Sequence, residues 1–364
     1  MMHVPLLDLS IKDPALKSEL LSAVEQVLDH GRFILGPEHD QFEKAIAAYC
    51  GTAHCVGVGS GTDALYLALR ALDIGPGDEV ITTPMTWVAT TNAIVLSGAT
   101  PVFVDVDDGF NMDSVGVEAA ITSHTKAILP VHFTGHMCDI TEILDIAGRH
   151  GITVVEDAAQ AFGAEYKGRK AGSFGRIGCF SMNPMKVFRG YGEAGAIVTD
   201  DETIAERVRS LRYAGTINKE NCQEASINGR LDTVQAAMLL VNLKRVDGLI
   251  AARRDIAAKY TAHLSNVVGC PVEKPDHKHS YYSYTIVSER RDELKGHLAD
   301  NGVETKIQHP FLMTQHDAYK QRFATDLPNA ERLVKRILSI PSHEDLTDEE
   351  LDYVAEKVTA FHSA

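Results

Sequence analysis

Between residues 50 and 200 the chain alternates short apolar segments with amphipathic ones, and that alternation restricts the fold more than any other feature. A helix is predicted over 62–72, with Leu65, Ala68, Leu69 and Leu72 on one face, and Gly75-Pro76-Gly77 stops it. Apolar strands are predicted at 80–83, 101–106, 127–131, 152–156, 179–182 and 196–199, with helices at 87–96 and 140–150 between them. Strands separated by helices predict an α/β fold, a mostly parallel sheet covered on both faces. The first 45 or so residues read as an arm and a helix, with a turn near Gly31–Gly36. After Asp200 the pattern changes: a helix over 203–213, a polar loop, and a long helix over 232–243. Beyond residue 250 come a helix, strands near 282–287 and 305–308, and a terminal helix over 348–361, read as a smaller α+β domain. The expected division is therefore a large domain over 1–249 and a small one over 250–364.

A length of 364 residues, 45% hydrophobic, suits one large domain plus a smaller one. The formal charge of -15, with no long basic run, argues against nucleic acid and anionic membrane as partners. A small anionic ligand remains open, because a few local donors can outweigh a distant net charge. No apolar run approaches a membrane span, and residues 1–20 lack the layout of a signal peptide. The six cysteines show no CxxC and no framework spacing, as expected of reduced thiols in a cytoplasmic protein.

Pyridoxal phosphate (PLP) chemistry needs an amine for the aldehyde, a carboxylate for the pyridine nitrogen, a phosphate cradle and a flat contact for the ring. The chain offers a candidate for each. Gly59-Ser60-Gly61-Thr62-Asp63 turns directly into a helix, whose free N–H groups and dipole suit an anion; taken alone, such a segment is more often only a turn and N-cap. The run ending in Glu156-Asp157-Ala158-Ala159-Gln160 places an acid past a buried strand, at the edge where α/β sheets hold ligands. Asp157 there faces a pyridine nitrogen or caps a helix, and Gln160 meets a ring hydroxyl or sits exposed on that helix. Cys179-Phe180-Ser181-Met182-Asn183-Pro184-Met185-Lys186 puts a lysine among apolar neighbours, where desolvation lowers its pKa and makes it a nucleophile; taken alone it reads first as a surface lysine in a loop. Ser181 is a second phosphate donor. Trp87, the only tryptophan, either stacks on a ring or packs in the core.

Together with Pro5-Leu6-Leu7-Asp8, Gly75-Pro76-Gly77-Asp78-Glu79-Val80, Pro130-Val131-His132 and the 228–237 stretch, these segments resemble the DegT/DnrJ/EryC1/StrS sugar aminotransferases over nearly the whole chain. The resemblance implies an aspartate-aminotransferase-like fold (fold type I), with a mostly parallel seven-stranded sheet in the large domain. It implies a homodimer with shared active sites, and transfer of an amino group from glutamate to a keto group on a nucleotide-linked sugar. It also implies that Lys186 holds PLP as a Schiff base and shuttles the proton, while Asp157 pairs with the ring nitrogen and Gln160 with the ring oxygen. Gly61, Thr62 and Ser181 then hold the phosphate, Trp87 stacks on the ring, and Asn228 reaches the phosphate from the partner subunit. Arg230 and His309 are the substrate-side candidates.

The chain departs from the family pattern at Gly175-Arg176-Ile177-Gly178, Gly192-Glu193-Ala194-Gly195, His136 and Gln308-His309-Pro310-Phe311-Leu312. These departures are expected on the substrate side. His132 and His136 lack a third ligand at metal spacing, and Gly57-Val58-Gly59-Ser60-Gly61 lacks the rest of a dinucleotide fingerprint. The alternatives are a PLP-dependent sugar dehydratase or deoxygenase of the same fold, in which the resemblance puts histidine at position 186, and a non-catalytic PLP-binding regulator.

Overall fold

The computed structural model describes residues 2–218, 220–320, 322–323 and 325–363. Helix α1 (Pro14–His30) starts on the Asp13 side chain, which accepts from Ala15 N, and ends at Gly31; α2 (Pro37–Cys50) follows a short turn. The central sheet contains β1 (His54–Val58), β2 (Glu79–Thr82), β3 (Thr100–Phe103), β4 (Thr125–Ile128), β5 (Thr153–Asp157), β8 (Ile177–Ser181) and β9 (Gly195–Thr199). Their spatial order is β1-β9-β8-β5-β4-β2-β3, and only β9 runs against its neighbours. Between β5 and β8 lies a hairpin, β6 (Glu165–Tyr166) and β7 (Arg169–Lys170).

Both faces of the sheet are covered, which is why its strands read as continuous apolar runs. Successive side chains point to opposite faces: Val154 joins the core under α2, α6 (Ile140–His150) and α8 (Thr233–Leu243). Val155 joins the core under α3 (Gly61–Ala71), α4 (Val88–Leu96) and α7 (Glu202–Leu211). A short helix, α5 (Ser114–Ala119), lies between β3 and β4.

A third core holds the antiparallel pair Tyr284–Val287 and Ile337–Ile340, helices Arg291–Asp300 and Asp348–Ser363, and Val4 from the start of the chain. Helix α9 (Val246–Leu264) runs from one core into the other: Val246 and Ile250 pack in the first, and Ile256, Tyr260 and Leu264 in the third.

Three local expectations change. The seventh strand of the sheet is β1, a short run interrupted by Gly57 and absent from the six predicted strands. Residues 305–308 form no strand, only a single bridge from Lys306 to Ser339. No helix follows Asp157: residues 158–164 turn back into the β6–β7 hairpin, so Asp157 caps no helix and Gln160 is buried.

Candidate active site

The parallel strands end together at one edge of the sheet, and the segments leaving them enclose a cavity of about 470 Å³. Eight of the ten predicted site residues line it: Gly61, Thr62, Trp87, Asp157, Gln160, Ser181, Lys186 and His309. Asn228 and Arg230 do not.

Ser60 caps α3 by accepting from Asp63 N at 3.0 Å, which leaves the first N–H groups of the helix facing the cavity. Gly61 packs directly on the end of β8, where an added Cβ would stand 2.6 Å from Ser181 Cβ. The approach brings a helix N-terminus and a serine hydroxyl to one place, an arrangement that suits a phosphate.

Asp157 is the last residue of β5 and is buried. Its carboxylate accepts from Thr90 Oγ1 at 2.8 Å and from Ala159 N at 3.1 Å, and Thr90 is itself bonded to Thr86 at 2.7 Å. Burial raises the Asp157 pKa against these hydrogen bonds and the positive charge of Lys186. A buried carboxylate with two neutral donors and a cavity in front of it is matched by a protonated ring nitrogen.

Lys186 follows a turn in which Lys186 N donates to Asn183 O at 2.9 Å; Val187 and Phe188 behind it are buried. Its ammonium lies over the Tyr282 ring, 4.6 Å from the centroid. Burial lowers its pKa to about 8, opposed by Asp157 and assisted by Lys306. Gln160 is oriented by Thr134 N, which donates to its Oε1 at 2.9 Å. That bond depends on a tight bend: Thr134 has φ 58, and a Cβ on Gly135 (φ +97) would meet Ser280 Oγ at 2.5 Å.

Trp87 precedes the first turn of α4 and is 59% exposed, so core packing does not account for it. His309, with left-handed backbone (φ 54), lies 5.7 Å from Trp87 and 5.5 Å from Phe133, ring to ring. Burial, together with Lys186 and Lys306, holds its pKa down to about 3. Asn228 is exposed, and its Oδ1 accepts from Arg230 Nε at 2.6 Å, while the Arg230 guanidinium covers Tyr213.

Two departures from the family pattern lie elsewhere than expected. Residues 175–178 are at the start of β8, the far end of the strand from Ser181, where Gly175 N donates to the buried Glu156 at 2.6 Å. His136 lines a different cavity and stacks on His279. Glu193 and His309 do face the site. His132 is tied to Glu156 at 2.9 Å and accepts from Cys138 N, a structural role. Thr90, Tyr282 and Lys306 were missed; a threonine within a helix or a lysine in a loop carries no local sign of a distant cavity.

The residues present fit PLP: an uncovered aromatic, a carboxylate with no salt bridge among the described residues, a helix N-terminus and a desolvated amine all face one space. Fold and site define an aspartate-aminotransferase-like enzyme of the PLP-dependent class. The chain belongs to the DegT/DnrJ/EryC1/StrS aminotransferase family, whose family model matches residues 14–359. It is 43% identical to a dTDP-3-amino-3,4,6-trideoxy-alpha-D-glucose transaminase of Streptomyces venezuelae, covering 93% of this chain and 91% of that one. It is 41% identical to a pleiotropic regulatory protein of Geobacillus stearothermophilus over 99% of both. The crystal structure of S. venezuelae DesV superposes with a TM-score of 0.97 over 100% of both chains, at 41% identity. That of NtdA from Bacillus subtilis, with bound cofactor PMP, gives 0.94 at 30% identity over 100% of this chain and 86% of that one.

Proposed function

We propose that this aminotransferase moves an amino group from glutamate to a keto group of a nucleotide-linked sugar, as a cytoplasmic homodimer with shared active sites. The observation that carries the reading is the convergence of Lys186 and Asp157 on the 470 Å³ cavity beside the N-terminus of α3. The transaminase names of several close relatives support the sugar-nucleotide class.

Bound PLP supplies an aldehyde that takes up the amino group and a ring that accepts electrons from the adjacent carbon. In our reading, Asp157 holds the ring nitrogen protonated, and Thr90 keeps that carboxylate charged and aimed. Gly61 N, Thr62 N and Ser181 Oγ hold the phosphate, Trp87 covers the ring, and Gln160 meets the ring oxygen. Lys186 Nζ, neutral more often than an ordinary lysine, takes and returns the proton at the reacting carbon.

The exposure of Asn228 and its absence from its own chain's cavity support a role in the partner's site. Exposed Leu21 and Leu28 on α1 support a subunit interface. Among the described residues no helix is long and apolar enough to cross a membrane, and the six cysteines are free. The free thiols support a reducing compartment.

A panel of nucleotide-linked keto-sugars, incubated with glutamate and scored by mass, tests the reading. One aminated sugar is expected. A wild type that takes up no PLP ends it. A wild type that binds PLP and aminates nothing on the panel favours the regulatory reading, which the name of one relative raises and the presence of both Lys186 and Asp157 opposes.

A further inference from the structure

Lys306 lines the same cavity as Lys186 and has no carboxylate partner among the described residues. Its backbone is pinned: Lys306 N donates to Ser339 O at 3.0 Å, and Ser339 N donates to Lys306 O at 2.8 Å. The side chain is half-buried, and burial lowers its pKa, so its charge is held at a cost that an anion would relieve. Arg253, which lines the adjoining recess, is ion-paired with Glu344 at 2.7 Å. Lys306 also borders a recess of about 40 Å³ lined by Arg253, Gln308 and His343, room for a small polar group such as a carboxylate.

We propose that Lys306 anchors the α-carboxylate of the amino-group donor in this cavity. The inference rests on the cavity being the transamination site. A donor's α-carboxylate is one bond from the reacting carbon, whereas the diphosphate of a nucleotide-linked sugar is separated from the keto carbon by part of the sugar ring. Lys306 lines the cavity that Lys186 enters, and a group one bond from the reacting carbon stays inside that cavity, which favours the carboxylate.

The test is calorimetric titration of the holoenzyme with 2-methylglutamate, a donor analogue that has no proton to lose at Cα. Lys306→Met is expected to weaken binding at least tenfold, and Lys306→Arg to recover it to within about threefold, with unchanged melting temperatures. In steady state, Lys306→Met raises KM for glutamate at least tenfold, changes kcat less than threefold, and leaves KM for the sugar alone. Glutamine and isoglutamine separate the two carboxylates: masking the α-charge erases the difference between wild type and Lys306→Met, and masking the γ-charge preserves it. Unchanged analogue affinity in Lys306→Met, a rise in acceptor KM instead of donor KM, or the reverse amide pattern overturns the proposal. A wrong acceptor class shows itself separately, as a failed sugar panel with an intact donor response.

Discussion

Thr90 donates its hydroxyl to Asp157 Oδ2 at 2.8 Å, across 67 positions of sequence, so the helix that begins beside Trp87 also holds the carboxylate opposite the cavity. The bond stabilises the charged form of a carboxylate that burial pushes toward protonation. Thr90→Val removes it, so Asp157 takes up a proton at higher pH. A hydrogen bond to a charged group contributes about 1.5 kcal/mol, so the acidic limb of PLP retention is expected to move up by on the order of one pH unit. Absorbance titration of wild type and variant checks this, and superimposable limbs would remove Thr90 from the site's electrostatics. Asp157→Asn is expected to keep PLP and lose most turnover, because an amide cannot hold the ring nitrogen protonated.

Lys186 has a pKa lowered to about 8 by burial. About a quarter of its amine is then neutral at pH 7.5, against about a tenth of a percent for an ordinary lysine. The sign is that of a depressed cationic group: reactivity grows as pH rises through about 8 and levels off above it. Competitive acylation of the PLP-free protein, read by mass spectrometry, should show Lys186 labelling first, with that midpoint. A midpoint above 10 would mean that the cavity does not desolvate the amine. Lys186→Ala should lose turnover while still binding PLP noncovalently.

Gly61→Ala places a Cβ 2.6 Å from Ser181 Cβ, both in backbone-anchored positions. The end of α3 or of β8 must shift, at a cost of about 1–3 kcal/mol, so Kd for PLP should rise by roughly five- to a hundredfold. Fluorescence titration of the PLP-free variant measures it. Gly148→Ala, within α6 and with nothing within 4 Å of an added Cβ, controls for a general glycine effect.

Asn228 is expected to act in the partner's site. Lys186→Ala and Asn228→Ala proteins, each impaired alone, would be unfolded and refolded together. With shared sites, half the dimers are mixed and half of their sites are intact, so about a quarter of wild-type activity should return. If Asn228 serves its own chain, every site carries one lesion and mixing restores nothing. A monomer by light scattering defeats the idea before mixing begins.

Much of the fold was legible because burial on both faces of a sheet leaves a mark in consecutive residues. Val154 and Val155 must both be apolar, since one meets α6 and the other the opposite layer, and that constraint is local. The positions of Asp157, Ser181 and Lys186 at or just beyond strand ends were legible for the same reason, as each lies within a few residues of a run that announces itself. The tertiary structure alone decided the rest. It turned the chain at Ala158 instead of starting a helix, left Trp87 outside the core, and carried Lys306 to a cavity whose lysine lies 120 positions earlier. It also separated Asn228 from the site of its own chain. Such meetings depend on how whole strands and helices pack, and no spacing along the chain records them, because a side chain's neighbours across a cavity are set by the layers that enclose it.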